Sequence, residues 1–87
     1  MPTVELYGQA RLLAGVRSLI VPGNTIGQTL RALARLHPKL VGAVLQEDGQ
    51  LTPAYAVNLN GLRFCSDLDE PISENDELLV ISSLAGG

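Results

Sequence analysis

The sequence predicts an α+β domain in which a mixed sheet of four to five strands carries one main helix across one face. Three observations predict it. Segments with strand-like periodicity stand at both ends of the chain, one capped amphipathic stretch lies between them, and an Asn-Gly pair joins two alternating segments. At 87 residues the chain supports one small core and not two. Its hydrophobic content of 46% with few aromatics (Tyr7, Tyr55, Phe64) makes that core aliphatic.

In order along the chain, "TVELYG" alternates Val4 and Leu6 against Thr3, Glu5 and Tyr7, which is a strand with one buried face. "GQARLLAG", bracketed by Gly8 and Gly15, reads as a loop. "VRSLIV" is again rich in branched residues and ends at Pro22-Gly23, so the two strands form an antiparallel hairpin. Thr25 with Gln28 three residues later is a capping-box pattern, Asn24 being an alternative cap. Ile26, Leu30 and Leu33 follow at helical spacing, and cations near the end precede the stop at Pro38, giving a helix over about residues 25–37. "PKLVGAVL" holds a second short helical turn, and "QEDGQ" is a turn by composition.

Asn60-Gly61 supplies two positive-φ residues for a type I′ hairpin inside "AYAVNLNGLRF". A two-residue loop would set Leu59 opposite Leu62 and Val57 opposite Phe64, placing all four on one face beneath the helix. "SDLDEPISENDE" is an acidic connection with Asn75 as a candidate left-handed turn residue. "LLVIS" is a continuous apolar run suited to a strand inside the sheet. The body is then residues 1–83, and 84–87 form a flexible, extended tail ending in Gly-Gly.

Charge and composition exclude several classes of function. A net charge of -3 with six Lys and Arg disfavours nonspecific nucleic-acid binding. Five of the six basic residues lie at or before Lys39, while six of the nine acids fall in residues 67–77, a segment that is either a solvated loop or a docking patch. No stretch approaches the roughly 18 to 20 apolar residues that span a bilayer, and no basic-then-apolar leader precedes the first strand. One cysteine, Cys65, makes no internal disulfide, so the expected compartment is the cytoplasm.

Side-chain catalysis lacks a motif: the chain has no Gly-rich phosphate loop, paired-cysteine zinc pattern, two-histidine pattern or nucleophile elbow. Cys65 reads as a small core residue and His37 as a helix-end residue. The remaining chemical group is the C-terminal carboxylate of Gly87, which adenylation by an ATP-binding partner would convert to a mixed anhydride open to attack. Gly86 and Gly87 thread a narrow site because they carry no side chain. Ordering a four-residue tail costs roughly 4 to 8 kcal/mol, so the body must dock too, with Leu84 as an anchor and Ala85 following it into the site.

The strand-strand-helix-strand-strand order, "VNLNG" at 57–61, "SENDELLVIS" at 73–82 and the terminal "LAGG" resemble the ubiquitin-like β-grasp sulfur carriers of the MoaD and ThiS type. The resemblance covers essentially the whole chain and is nearest to the molybdopterin synthase small subunit. It departs from that subunit at Ser82-Ser83, where prolines are common. It implies a non-enzymatic carrier that binds no cofactor or metal of its own. Gly87 would be adenylated by an E1-like adenylyltransferase and converted to a thiocarboxylate, and the sulfur passed to the molybdopterin synthase large subunit or another sulfur-accepting enzyme, such as one of thiamine synthesis. Two other readings stand beside it: a protein modifier joined to lysines through Gly87, and a binding module with a passive tail. The sheet face left open by the helix is the expected docking surface, with Arg31 and Arg35 on the solvent side of the helix.

Overall fold

The computed structural model describes residues 1–83. Strand β1 (Thr3–Leu6) is followed by helix α1 (Gly8–Ala14), strand β2 (Ser18–Ile20), helix α2 (Ile26–Leu36) and a 3₁₀ turn at Pro38–Leu40. Strands β3 (Tyr55–Leu59), β4 (Arg63–Cys65) and β5 (Glu77–Ser82) complete one mixed sheet in the order β2-β1-β5-β3-β4. β5 runs parallel to β1 and antiparallel to β3, so the most apolar strand is indeed central. The main helix, the first hairpin and the short turn at Pro38 stand as the periodicity predicts.

Residues 8–14, expected as a loop, form α1. The two bracketing glycines are what misleads. Gly15 (φ 76) is a left-handed C-cap whose N–H donates to the Arg11 carbonyl at 2.9 Å, and Gly8 (φ 58) turns the chain out of β1. Between them stand mostly good helix formers, with Ala10 fully buried. The glycines that read as loop ends are helix ends.

The cap of α2 is formed as expected: Thr25 Oγ1 accepts from the Gln28 N–H at 3.1 Å, and Gln28 Oε1 accepts from the Asn24 N–H at 2.9 Å. Two more first-turn donors are satisfied from the acidic connection, Ile26 N–H by the Glu70 carbonyl at 3.0 Å and Gly27 N–H by that of Leu68 at 2.8 Å. Leu68 packs against the core and Ile72 is buried, so the acidic segment is tied to the helix and is not a free loop. Ile26, Leu30 and Leu33 of α2 meet Val4, Leu6, Val57, Leu78 and Val80 of the sheet, all fully buried. Each such side chain contributes about 1.5–3 kcal/mol by leaving water. Arg31 and Arg35 are on the exposed side.

The second hairpin is shifted by one residue from the expected register. Asn60 (φ 59) and Gly61 (φ 73) do occupy the left-handed region, and Leu62 N–H donates to the Leu59 carbonyl. Yet Leu59 pairs with Arg63, Asn58 with Phe64 and Val57 with Cys65. The cause is long-range. Asn60 is held by the start of β5, its N–H donating to the Glu77 carbonyl at 2.7 Å, its Oδ1 accepting from Glu77 N–H at 2.7 Å and its Nδ2 donating to Asp76 at 3.0 Å. Leu62 becomes a third loop residue, and a one-residue slip reverses the faces of β4. Phe64 therefore points away from α2, and both Leu62 and Phe64 are exposed.

Asn75, expected in the left-handed region, is not there; among the described residues Asn60 is the one non-glycine with positive φ. The turn before β5 is closed by a side chain instead, the Asp76 carboxylate accepting from the Ser73 N–H at 2.8 Å. That bond first, and the Asn60 amide second, hold the Asp76 carboxyl below its ordinary value of 3.8. A carboxyl lowered in the folded state stabilises the fold above its unfolded value and loses that contribution as pH falls through the folded one. Asp76→Asn is thus expected to flatten the fall of the urea midpoint below about pH 4. An unchanged acid slope would exclude Asp76 as a source of it.

Candidate functional site

The expected site residues Leu84, Ala85, Gly86 and Gly87 lie outside the described residues, but the root from which they continue is fixed on both sides. Val80 near the end of β5 accepts from Tyr7 N–H at 3.2 Å, and Ser82 pairs with Tyr55. Ser83 N–H donates to the Ala54 carbonyl at 2.8 Å and Ser83 Oγ to that of Pro53 at 2.7 Å. The chain is hydrogen-bonded into the body at Ser83, the last described residue.

Beside that root lies the face of the sheet that α2 leaves open. Residues directly opposite one another share a face, so the pairings define a row across all five strands: Phe64, Asn58, Leu79, Glu5 and Ser18. Toward the tail root, Ala56 stands opposite Ile81 in the next row. Toward the other end, Glu77 stands opposite Thr3 and Thr3 opposite Ile20. Phe64 and Ile20, on the two opposite edge strands of this face, are each 64% exposed. Two half-buried carboxylates, Glu5 and Glu77, give the face an acidic margin. At its corner the Tyr7 phenol is pushed up by desolvation first and by the Glu5 carboxylate second, against the lowering effect of Arg17.

The open face was expected as a docking surface, but its central residues were not. Asn58 was visible in the alternation of "VNL", where it must face away from Val57. Phe64 was assigned to the buried face, because nothing local to the hairpin encodes the pull of β5 on Asn60.

Neither titratable candidate in the body forms a nucleophilic site. His37 follows α2 and lines a groove with α1, whereas Cys65 lines a different groove with Tyr55 and Leu68. Burial first, and Glu70 second, push the Cys65 thiol up, which keeps it protonated and weakly nucleophilic. Arg63 pairs with Glu70 and ties β4 to the acidic connection. Among the described residues no group of three or more His, Cys, Asp or Glu is placed to hold a metal ion, and no helix is long and apolar enough to cross a membrane.

The model of the ThiS family matches residues 4–87, nearly the whole chain and the tail with it. The chain belongs to the ThiS family. This ThiS-family chain is 28% identical over 65 residues to a candidate sulfur carrier protein of Archaeoglobus fulgidus, covering 72% of this chain and 74% of that one. Its fold superposes on the crystal structure of SAMP1 from Haloferax volcanii with a TM-score of 0.78 and 31% identity over 99% of this chain and 98% of that one. The solution structure of the small archaeal modifier protein 1 from Methanosarcina acetivorans gives a TM-score of 0.83 at 20% identity over 99% and 95% of the two chains. The fold is the ubiquitin-like β-grasp, now with its five strands and second helix assigned.

Proposed function

We propose that this ThiS-family protein is a sulfur carrier that is not itself an enzyme, and that its reacting group is the carboxylate of Gly87. The observation that supports the reading is the ThiS-family match over residues 4–87. A Gly87 carboxylate oxygen attacks the α-phosphorus of ATP on an E1-like adenylyltransferase, pyrophosphate leaves, and a sulfide-level nucleophile then displaces AMP to give the thiocarboxylate. The body's part is to present the tail. The root at Ser83 is pinned, so the chain needs no ordering by the partner up to that residue, and fixing each further residue in a narrow site costs about 1–2 kcal/mol. Docking of the open sheet face supplies the free energy for that ordering.

The favoured acceptor is the molybdopterin synthase large subunit, with a thiamine-type or other acceptor as the alternative. Cytoplasmic location follows from this role. A modifier role is the second reading, favoured by the 31% identity to a small archaeal modifier protein. Both share the adenylation step and differ in the nucleophile that follows, sulfide or a lysine amine.

Intact-mass analysis after incubation with host extract, ATP and a sulfur source tests the reading. A carrier gains one sulfur in place of oxygen, located at Gly87 by fragmentation. Adducts joined through Gly87 to lysines of other proteins, with no thiocarboxylate, would transfer the assignment to the modifier. An unchanged Gly87 under all conditions would leave a binding module with a passive tail.

A further inference from the structure

We infer that Asn58, on the open face one strand in from the β4 edge, is a specificity-determining acceptor, and that it receives an N–H donor from the partner that activates the tail. Asn58 is 7% exposed, and its Oδ1 is buried with no hydrogen-bond donor among the described residues. A buried polar atom without a partner opposes folding, so an apolar side chain of similar size would be the more stable choice at this position. Leucine is nearly that replacement. The position carries asparagine at a cost to the fold.

The surroundings indicate what offsets that cost. Asn58 sits between Leu79 on β5 and Phe64 on β4, on the face that α2 does not cover. Phe64 beside it is largely exposed, and an exposed aromatic next to an orphaned acceptor matches the composition of a docking centre, where apolar contact excludes water around one polar pairing. The charged groups in the rows across this face, Glu5 and Glu77, are acceptors like Asn58 Oδ1, while the cation Arg17 stands near Tyr7. The face therefore complements a partner surface with an apolar centre, an N–H donor within it, and arginine or lysine at its margin. This deepens the carrier reading and rests on it for the partner's identity, the E1-like adenylating enzyme.

Asn58→Leu in the full chain separates the two roles, because they predict changes of opposite sign. Its thermal midpoint is expected to rise by roughly 4–8 °C. Its affinity for the host's E1-like enzyme, measured by calorimetry, is expected to fall about tenfold. The Asn58 side-chain amide resonances of the wild-type chain should shift on adding that enzyme. Asn58→Thr, which keeps a hydroxyl acceptor, should recover part of the affinity. A lower midpoint for Asn58→Leu would mean that Oδ1 has a donor within the folded chain, and would overturn the inference. Wild-type affinity in that variant would overturn it too, leaving the carrier reading intact as long as the wild-type chain is adenylated. A wild-type chain that is neither bound nor adenylated would remove both.

Discussion

A chain shortened to end at Ala85 is expected to lose thiocarboxylation while keeping the fold of the full-length protein. The reacting carboxylate would stand two residues short of its place, and misplacement of a reacting group by as little as about 1 Å costs on the order of 100-fold in rate. The loss of adenylate formation should be at least that large. Ser83, ahead of the deletion, is bonded to the body through its own N–H and hydroxyl, so the thermal midpoint is expected not to move. Gly86→Val is the companion variant, retaining chain length but closing backbone angles that glycine permits. Measurement of pyrophosphate release with the E1-like enzyme, alongside the thermal midpoint, checks both halves. Full adenylation of the shortened chain would show that the carboxylate of Gly87 is not the acceptor of AMP.

The largest effect on stability is expected at Gly23. A Cβ placed there would lie 2.2 Å from Thr29 Oγ1 and 2.6 Å from the Thr29 backbone nitrogen. Thr29 cannot yield. Its residue is fully buried in α2, and its hydroxyl donates to the Thr25 carbonyl at 2.9 Å. Gly23→Ala must push the helix start off the sheet, and overpacking of this kind costs about 3 kcal/mol. Domains of this size have roughly 4–13 kcal/mol in total, so a substantial share would go. Gly42 is the control, since a Cβ there meets nothing within 4 Å and only its φ of +92° opposes alanine. Gly42→Ala should cost only about 1–2 kcal/mol. Urea denaturation of the two variants decides it, and equal losses would refute close packing at Gly23.

The acidic connection shows how a compositional reading stops short. Six carboxylates in residues 67–77 suggested either a solvated loop or a docking patch. The backbone of that segment instead caps α2 through Leu68 and Glu70, with Ile72 buried beneath it and Asp76 closing the turn into β5. Asp67, Asp69 and Glu74 are exposed while the carbonyls of Leu68 and Glu70 hold the helix, and only the charges are legible in the residue types.

The sequence by itself determined the elements whose signal is local. Alternation places Val4 and Leu6 on one face, Thr25 and Gln28 cap the main helix, and the apolar run at 78–81 belongs inside the sheet, because each depends on neighbours within a few residues. The Gly-Gly end is equally a property of the chain alone. Only the tertiary structure decided α1, where terminal glycines act as caps and Ala10 finds its burial in a distant core. It also decided which residues the open face of the sheet presents. Asn60 bonds to Asp76 and Glu77, sixteen and seventeen residues further on, and that pull moves β4 by one register and turns Phe64 outward beside Asn58. The site's surface is set by a contact that closes a loop of that length, and such a contact forms only when the sheet does.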